Sequence, residues 1–292
     1  MKILITGASG FLGSALARRF NEMSYQVALL VRKNTNLFRI QDLGKYKIGR
    51  CETDLEIEQF IANDPPDFVI HAACCYGRNG ESIAQIVDSN IHFGVVILDA
   101  LNKLQKKTTF LNSASVLSDG VSFYALTKSQ FETLGIRFCS SSDSFIQFIN
   151  IKLQHMYGPG DDDSKFTSYV IHSCQKNLPV LPLTLGEQKR DFIYIEDVVD
   201  AYVKVIENIS KFDNQLQIEL GSGHATSIRS FVELAHGLTG SNTYLAFGQI
   251  PLRENDEICL VANPQILKNL GWSPKFSIEA GIKKMIEMEG IS

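Results

Sequence analysis

The 292-residue sequence contains no run of about 18 consecutive apolar residues, so no membrane span is expected. Its opening, Met1-Lys2-Ile3-Leu4-Ile5-Thr6-Gly7, is too short an apolar run for a signal peptide before glycines arrive. A cytoplasmic protein with no membrane partner is expected. Cysteine pairs at metal-ligand spacing are also absent. Cys51, Cys74, Cys75, Cys139, Cys174 and Cys259 form no CxxC pair, so no zinc site or disulfide framework is indicated and no metal is expected. The adjacent Cys74 and Cys75 end an apolar run and read as small residues packed near a strand end. Excess basic charge is missing too: the formal net charge is −4, and a nonspecific grip on nucleic acid needs a basic surface. There is no internal repeat and no low-complexity linker.

What is present is ordinary globular composition, 45% hydrophobic and 21% charged, in a chain long enough for one large domain or one with a smaller partner. The first half alternates short apolar runs with amphipathic stretches. Strands are expected at Lys2–Thr6, Gln26–Val31, Asp67–Ala73 and Thr108–Ser113, and helices at Phe11–Met23 and Ser82–Leu104. Ile3-Leu4-Ile5 lacks polar alternation, as in strands covered on both faces. The repeat of strand and helix predicts a Rossmann-type, doubly wound parallel sheet, with a smaller C-terminal α/β lobe that binds substrate. Residues 1–160 are assigned to the dinucleotide domain, with part of 190–210 returning to it, and 161–292 mainly to the second lobe, packed directly against the first with a cleft between them. In that half a helix is expected at Lys165–Lys176, a strand at Asp191–Ile195, and helices at Glu196–Ile209 and from Ile278 to about Met288.

Gly7-Ala8-Ser9-Gly10-Phe11-Leu12-Gly13 stands between the first strand and the first helix. Glycines there allow a tight turn and let a pyrophosphate approach the backbone, while the helix N-terminus offers orphan N–H groups. A glycine triplet alone is weak; its position between strand and helix is the context the motif requires. The second strand then runs into Leu30-Val31-Arg32-Lys33-Asn34 with no acid to hold a ribose 2′-hydroxyl. Arg32 and Lys33 therefore read as ligands of a 2′-phosphate, which favours NADP(H) and leaves NAD(H) as the other option. Asp54, followed by Leu55, is expected where the adenine ring is touched.

Tyr124-Ala125-Leu126-Thr127-Lys128 puts tyrosine and lysine one helical turn apart on one face. An ammonium beside a phenol favours the phenolate and makes tyrosine usable as an acid or base. Ser113 lies at the end of an expected strand, where ligands of open α/β sheets bind.

With these motifs the sequence resembles the extended short-chain dehydrogenase/reductase family, in its nucleotide-sugar epimerase, dehydratase and reductase branch. TGASGFLG and YALTK carry the likeness in the first half. IKLQHMYGPG (151–160), GEQKRDFIYIEDVVDAY (186–202) and LGWSPKFSIEAGI (270–282) carry it in the second. Within the branch, LQHMYGPGDDDSKF and LTLGEQKRDFIYIEDVVDAY are most similar to the reductases that make CDP-abequose and CDP-paratose with NADPH, for bacterial surface polysaccharide. The resemblance implies Ser113, Tyr124 and Lys128 as catalytic residues. It implies Ala72 and Ala73 beside Gly7, Ser9, Gly10, Phe11, Leu12, Gly13, Arg32, Lys33, Asp54, Leu55, Tyr124 and Lys128 on the cofactor. It implies Tyr76, Ser113, His155, Lys165, Arg190 and Arg253 on a nucleotide-sugar substrate, the two arginines holding its diphosphate. A homodimer through the helices Ser82–Leu104 and Tyr124–Cys139 is implied as well.

The departures from the family pattern are specific. Lys152 replaces the usual arginine, and His155 stands where many epimerases have asparagine. Ala114-Ser115 stands where dehydratases carry Asp-Glu, the acid and base for removing water, so dehydration is disfavoured. The spacing from Ser113 to Tyr124 is short, which implies a trimmed loop beside the sugar. The expected reaction is NADPH-dependent reduction of a nucleotide-linked 4-ketodeoxyhexose. The alternatives are an NAD-dependent 4-epimerase and, in a different class, a non-catalytic NADP-binding regulator.

Overall fold

A computed structural model describes every residue except 141–143, 214, 254, 291 and 292. The chain divides into two compact units, Met1–Lys152 with Val205–Ile218, and Leu153–Lys204 with Glu219–Ser292. The first unit's leading segment ends at 152 where 160 was expected, and the returning segment is 205–218, which includes 205–210 of the expected stretch.

The first unit follows the alternation in the sequence: β1 (Lys2–Thr6), α1 (Phe11–Glu22), β2 (Gln26–Val31), β3 (Tyr46–Arg50), α2 (Asp54–Asn63), β4 (Phe68–His71), α3 (Ile83–Val87), α4 (Phe93–Lys103), β5 (Thr108–Ser115), α5 (Phe123–Cys139) and β6 (Ile146–Leu153). Its seven-stranded sheet runs Gln215–Leu220, β6, β5, β4, β1, β2, β3. β1 pairs in parallel with both β2 and β4, so the winding reverses there. In doubly wound sheets ligands bind at the carboxyl ends of strands flanking such a reversal. This is the Rossmann-type fold, and its cause is legible residue by residue. Ile3, Leu4 and Ile5 are at most 2% exposed, and Leu30, Val69, Ile97, Phe110, Phe131 and Phe148 join one apolar core.

The stretch Ile83–Lys103 is long and apolar enough, by length and composition, to cross a membrane. Val96, Ile97, Leu98 and Leu101 are instead built into the core of this unit. The stretch is also not the continuous α-helix its periodicity suggests. Asp88–His92 forms a π-turn between α3 and α4. Buried Asn90 in that turn accepts from Cys75 N at 2.6 Å and donates to Cys75 O at 3.0 Å and Thr127 Oγ1 at 2.9 Å. One side chain thereby fastens the loop after β4 to the first turns of α5, a recurrent use of π-turns near functional sites.

The second unit contains β7 (His155–Tyr157), α6 (Phe166–Gln175), β8 (Val180–Leu183), β9 (Lys189–Arg190), β10 (Phe192–Tyr194), most of α7 (Ile195–Glu207), and the remaining short strands and helices to Ile278–Met288. Its small sheets pair β7 with β10 and β8 with Tyr244–Phe247 in parallel. An aromatic cluster forms the core: Phe192 stacks on Phe231 at 4.3 Å, and Tyr157 meets Tyr194 edge-on at 5.7 Å. Two buried carboxylates tie the unit together. Asp191 accepts from Ser222 N, Ser222 Oγ, Gly223 N and Ala262 N. Asp197 accepts from Lys275 N and Phe276 N, while its carbonyl receives Trp272 Nε1 at 3.2 Å. The Asp-Val and Leu-Gly-Trp motifs are therefore two halves of one tether.

Candidate functional site

The glycine loop has the shape a dinucleotide needs. Gly7 sits at φ +65, and a Cβ there would meet Ala73 N at 2.6 Å and Ala72 C at 2.7 Å. A Cβ on Gly13 would meet Gly7 O at 2.2 Å. These contacts press the start of α1, the Gly7 turn and the end of β4 together, and only glycine fits. Gly10 caps α1 without a side chain, so the cap position itself places no side-chain acceptor over the helix N-terminus. Ser9, Phe11 and Leu12 belong to this turn, and Ala72 and Ala73 face it. These residues fit a pyrophosphate-bearing nicotinamide cofactor.

Arg32 and Lys33 lie exposed just past β2, and Lys33 Nζ is 3.6 Å from Glu52 Oε2. Thr53 caps α2 in a reciprocal box with Glu56, which draws Asp54 and Leu55 into the first helical turn. Leu55 is exposed there, and Asp54 Oδ2 faces His92 Nε2 at 3.2 Å. The strand-end position beside Val31 belongs to Arg50, followed by Cys51.

The catalytic candidates gather in the first unit. Ser113 is buried near the carboxyl end of β5, and Tyr124 and Lys128 lie one turn apart at the start of α5. The α5 N-terminus is set by the Ser122 side chain, which accepts from Ala125 N. The Tyr76 ring lies 4.5 Å from the Tyr124 ring, with the Arg78 guanidinium 5.1 Å from the Tyr76 ring centroid. Burial pushes the Tyr124 phenol above its ordinary value, the nearby Cys74 adds to this, and hydrogen bonds from Tyr76 and Ser115 with the Arg78 charge oppose it. Burial also lowers the Lys128 ammonium from its usual range. Ser115, Arg78 and Cys74 were not expected from sequence as neighbours of Tyr124. The period of two along β5 was the available signal for Ser115, because residues i and i+2 share a face.

Beneath the lysine, His71 is fully buried. Its Nδ1 meets Thr6 Oγ1 at 2.9 Å, and burial, with Lys128 nearby, takes its imidazole down to about 3. The ring stays neutral at ordinary pH.

The second unit holds the other substrate candidates. His155 starts β7, and burial beside Arg190 takes it down to about 4. Its Nδ1 has no partner among the described residues. Arg190 is only 4% exposed: Nη2 meets Asp256 Oδ1 at 2.6 Å, and Nη1 donates to Lys189 O and Glu257 O, both at 2.8 Å. It braces the segment that follows exposed Arg253. Lys165 Nζ lies 3.0 Å from Asp161 Oδ1. Lys152, the departure from arginine, pairs with Glu132 at 3.4 Å within the first unit.

The NAD dependent epimerase/dehydratase family model matches residues 3–221. The chain belongs to that family. It is thereby an NAD(P)-dependent enzyme of the extended short-chain dehydrogenase/reductase type that modifies nucleotide sugars. CDP-abequose synthase of Salmonella muenchen is 30% identical over 99% of this chain and 98% of its own length. The enzyme of the same name from Salmonella typhimurium is 29% identical over 98% and 97%. In fold, the chain matches a Thermotoga maritima UDP-glucose 4-epimerase at TM-score 0.86 and 22% identity, covering 98% of each chain.

Proposed function

We propose that this enzyme uses NADPH to reduce the 4-keto group of a nucleotide-activated deoxyhexulose, CDP-linked, of the kind built into bacterial surface polysaccharide. One observation carries the choice of reduction over dehydration: among the described residues, the Tyr124 hydroxyl is held by the neutral donors Tyr76 and Ser115, with no carboxylate among its hydrogen-bond partners. Removing water from a sugar needs an added acid and base, and Ala114-Ser115 supplies neither. The two CDP-abequose synthases support the CDP-linked substrate.

When bound, the nicotinamide supplies the hydride. Tyr124 gives its proton to the carbonyl oxygen as that oxygen becomes an alkoxide. Burial raises the phenol's pKa and so keeps the proton in place until charge develops. Ser113 donates to the same oxygen, and Lys128 holds the nicotinamide ribose. Arg253 and the Arg190-braced segment hold the diphosphate, with His155, Lys165 and Tyr76 on the sugar nucleotide. The exposed apolar residues Ile83, Val87, Phe123, Leu134 and Ile136 on α3 and α5 support a homodimer, which sedimentation of the purified chain tests.

The test of the reaction is loss of NADPH absorbance with a panel of 4-keto-6-deoxy and 4-keto-3,6-dideoxy nucleotide sugars, each repeated with NADH. Stoichiometric oxidation with one CDP-linked ketose, faster with NADPH, supports the reading. No net oxidation, an inverted sugar centre and NAD released on denaturation would replace it with a 4-epimerase.

A further inference from the structure

The geometry points to Arg50 as the residue that, with Arg32, reads the 2′-phosphate of the cofactor's adenosine; this rests on the NADPH preference proposed above. Val31 and Arg50 are register partners, so the last residue of β3 lies beside the last residue of β2. Arg50 Nη1 donates to Lys33 O at 2.5 Å and to Thr35 O at 3.3 Å. Thr35 N donates to Arg32 O at 3.0 Å and closes the turn between them. One guanidinium thus fastens the turn that carries Arg32 and is itself held in place before any ligand arrives.

Nη2 and Nε of Arg50 have no partner among the described residues, so a planar pair of donors is still available. A fixed fork of that kind matches a phosphate better than a swinging ammonium, and little side-chain entropy is left to lose. Lys33, the neighbour expected to share this role, faces Glu52 across 3.6 Å instead. The other nearby acid, Glu56, is occupied by Glu52 N and Thr53 N. The corner therefore presents Arg32 and Arg50 as its two cations without a carboxylate partner of their own among the described residues. A ribose bearing only a hydroxyl gains nothing from Arg50 that a phosphate would not gain more strongly.

The test is fluorescence titration of the full-length protein with NADPH and with NADH, repeated by competition with 2′-phospho-AMP and with AMP. Arg50→Gln is expected to weaken NADPH and 2′-phospho-AMP by about tenfold or more, with NADH and AMP changed by less than about twofold. Arg50→Lys keeps the charge without the fork and is expected to recover part of the loss. Arg32→Gln is the reference. If it lowers the NADPH-to-NADH affinity ratio while Arg50→Gln keeps the wild-type ratio, the assignment of Arg50 fails alone. If Arg50→Gln weakens both cofactors equally, Arg50 only shapes the turn and the assignment is overturned. If the wild-type protein binds NADH as tightly as NADPH, the NADPH reading itself is overturned, and the role of Arg50 with it.

Discussion

Lys128 in the first unit and Asp191 in the second are both charged groups taken out of water, 2% and 0% exposed. Their surroundings are opposite. Asp191 accepts four hydrogen bonds from three neighbouring residues, so its negative charge is fully used by the architecture. Among the described residues, no hydrogen bond or ion pair holds the Lys128 ammonium, and burial disfavours its charged form. A buried charge that is saturated stabilises a fold; one left short of partners stores a cost that a ligand or reacting group can relieve. Tyr124 follows Lys128 in this respect, with burial raising its pKa against, among the described residues, two neutral donors and the Arg78 guanidinium. The two units therefore use burial for different ends, one for reactivity and the other for rigidity.

The sharpest test sets Tyr124 against Asp191. Tyr124→Phe is expected to lower turnover by about 10²–10⁴-fold while shifting unfolding free energy by less than about 1 kcal/mol and sparing NADPH binding. Near-normal turnover in this variant would remove Tyr124 from the reaction. Asp191→Ala strands four donors and is expected to lower unfolding free energy by about 3 kcal/mol or more, read as a drop in the urea midpoint. An unchanged midpoint would erase the contrast between the units.

A smaller effect comes from the two depressed histidines, one in each unit. The folded values for His71 and His155, about 3 and about 4, lie below the ordinary 6.5. Below pH 6.5 the unfolded chain takes up protons that the folded chain refuses. Stability is thus expected to fall as pH drops through that window, and these two groups add no further loss below about 3. His155→Asn removes one of the two contributions, so urea midpoints measured from pH 7 to pH 4 should fall less steeply. A slope as steep as wild type would show that His155 is not desolvated in the folded protein. The smallest expected effect is that of Ser115→Ala. Tyr124 loses one of two hydroxyl donors, and turnover should drop by about three- to tenfold with the substrate KM unchanged. A loss confined to KM would place Ser115 on the substrate rather than on the tyrosine.

Much of this organisation is readable along the chain. Apolar runs without alternation marked the covered strands, helical spacing marked the layers on them, and the glycine loop and Tyr-x-x-x-Lys pair stood out because their function depends on residues a few positions apart. Such patterns are local, and the sequence by itself determines them: which faces are buried, where the chain turns tightly, and which side chains share a helical face. The π-turn at Asn90 left no periodic trace, because it is maintained by a bond to Cys75, a residue from a different loop. The capping box that opens α2 and sets Asp54 in its first turn depends on Thr53 and Glu56 meeting each other, which apolar spacing does not reveal. The company of Tyr124, the nearness of Arg50 to Arg32, and the commitment of Arg190 to Asp256 were decided only by tertiary structure. The physical reason is register. Hydrophobic periodicity specifies that two strands or loops are buried, but which residue of one meets which residue of the other is settled when the whole core packs.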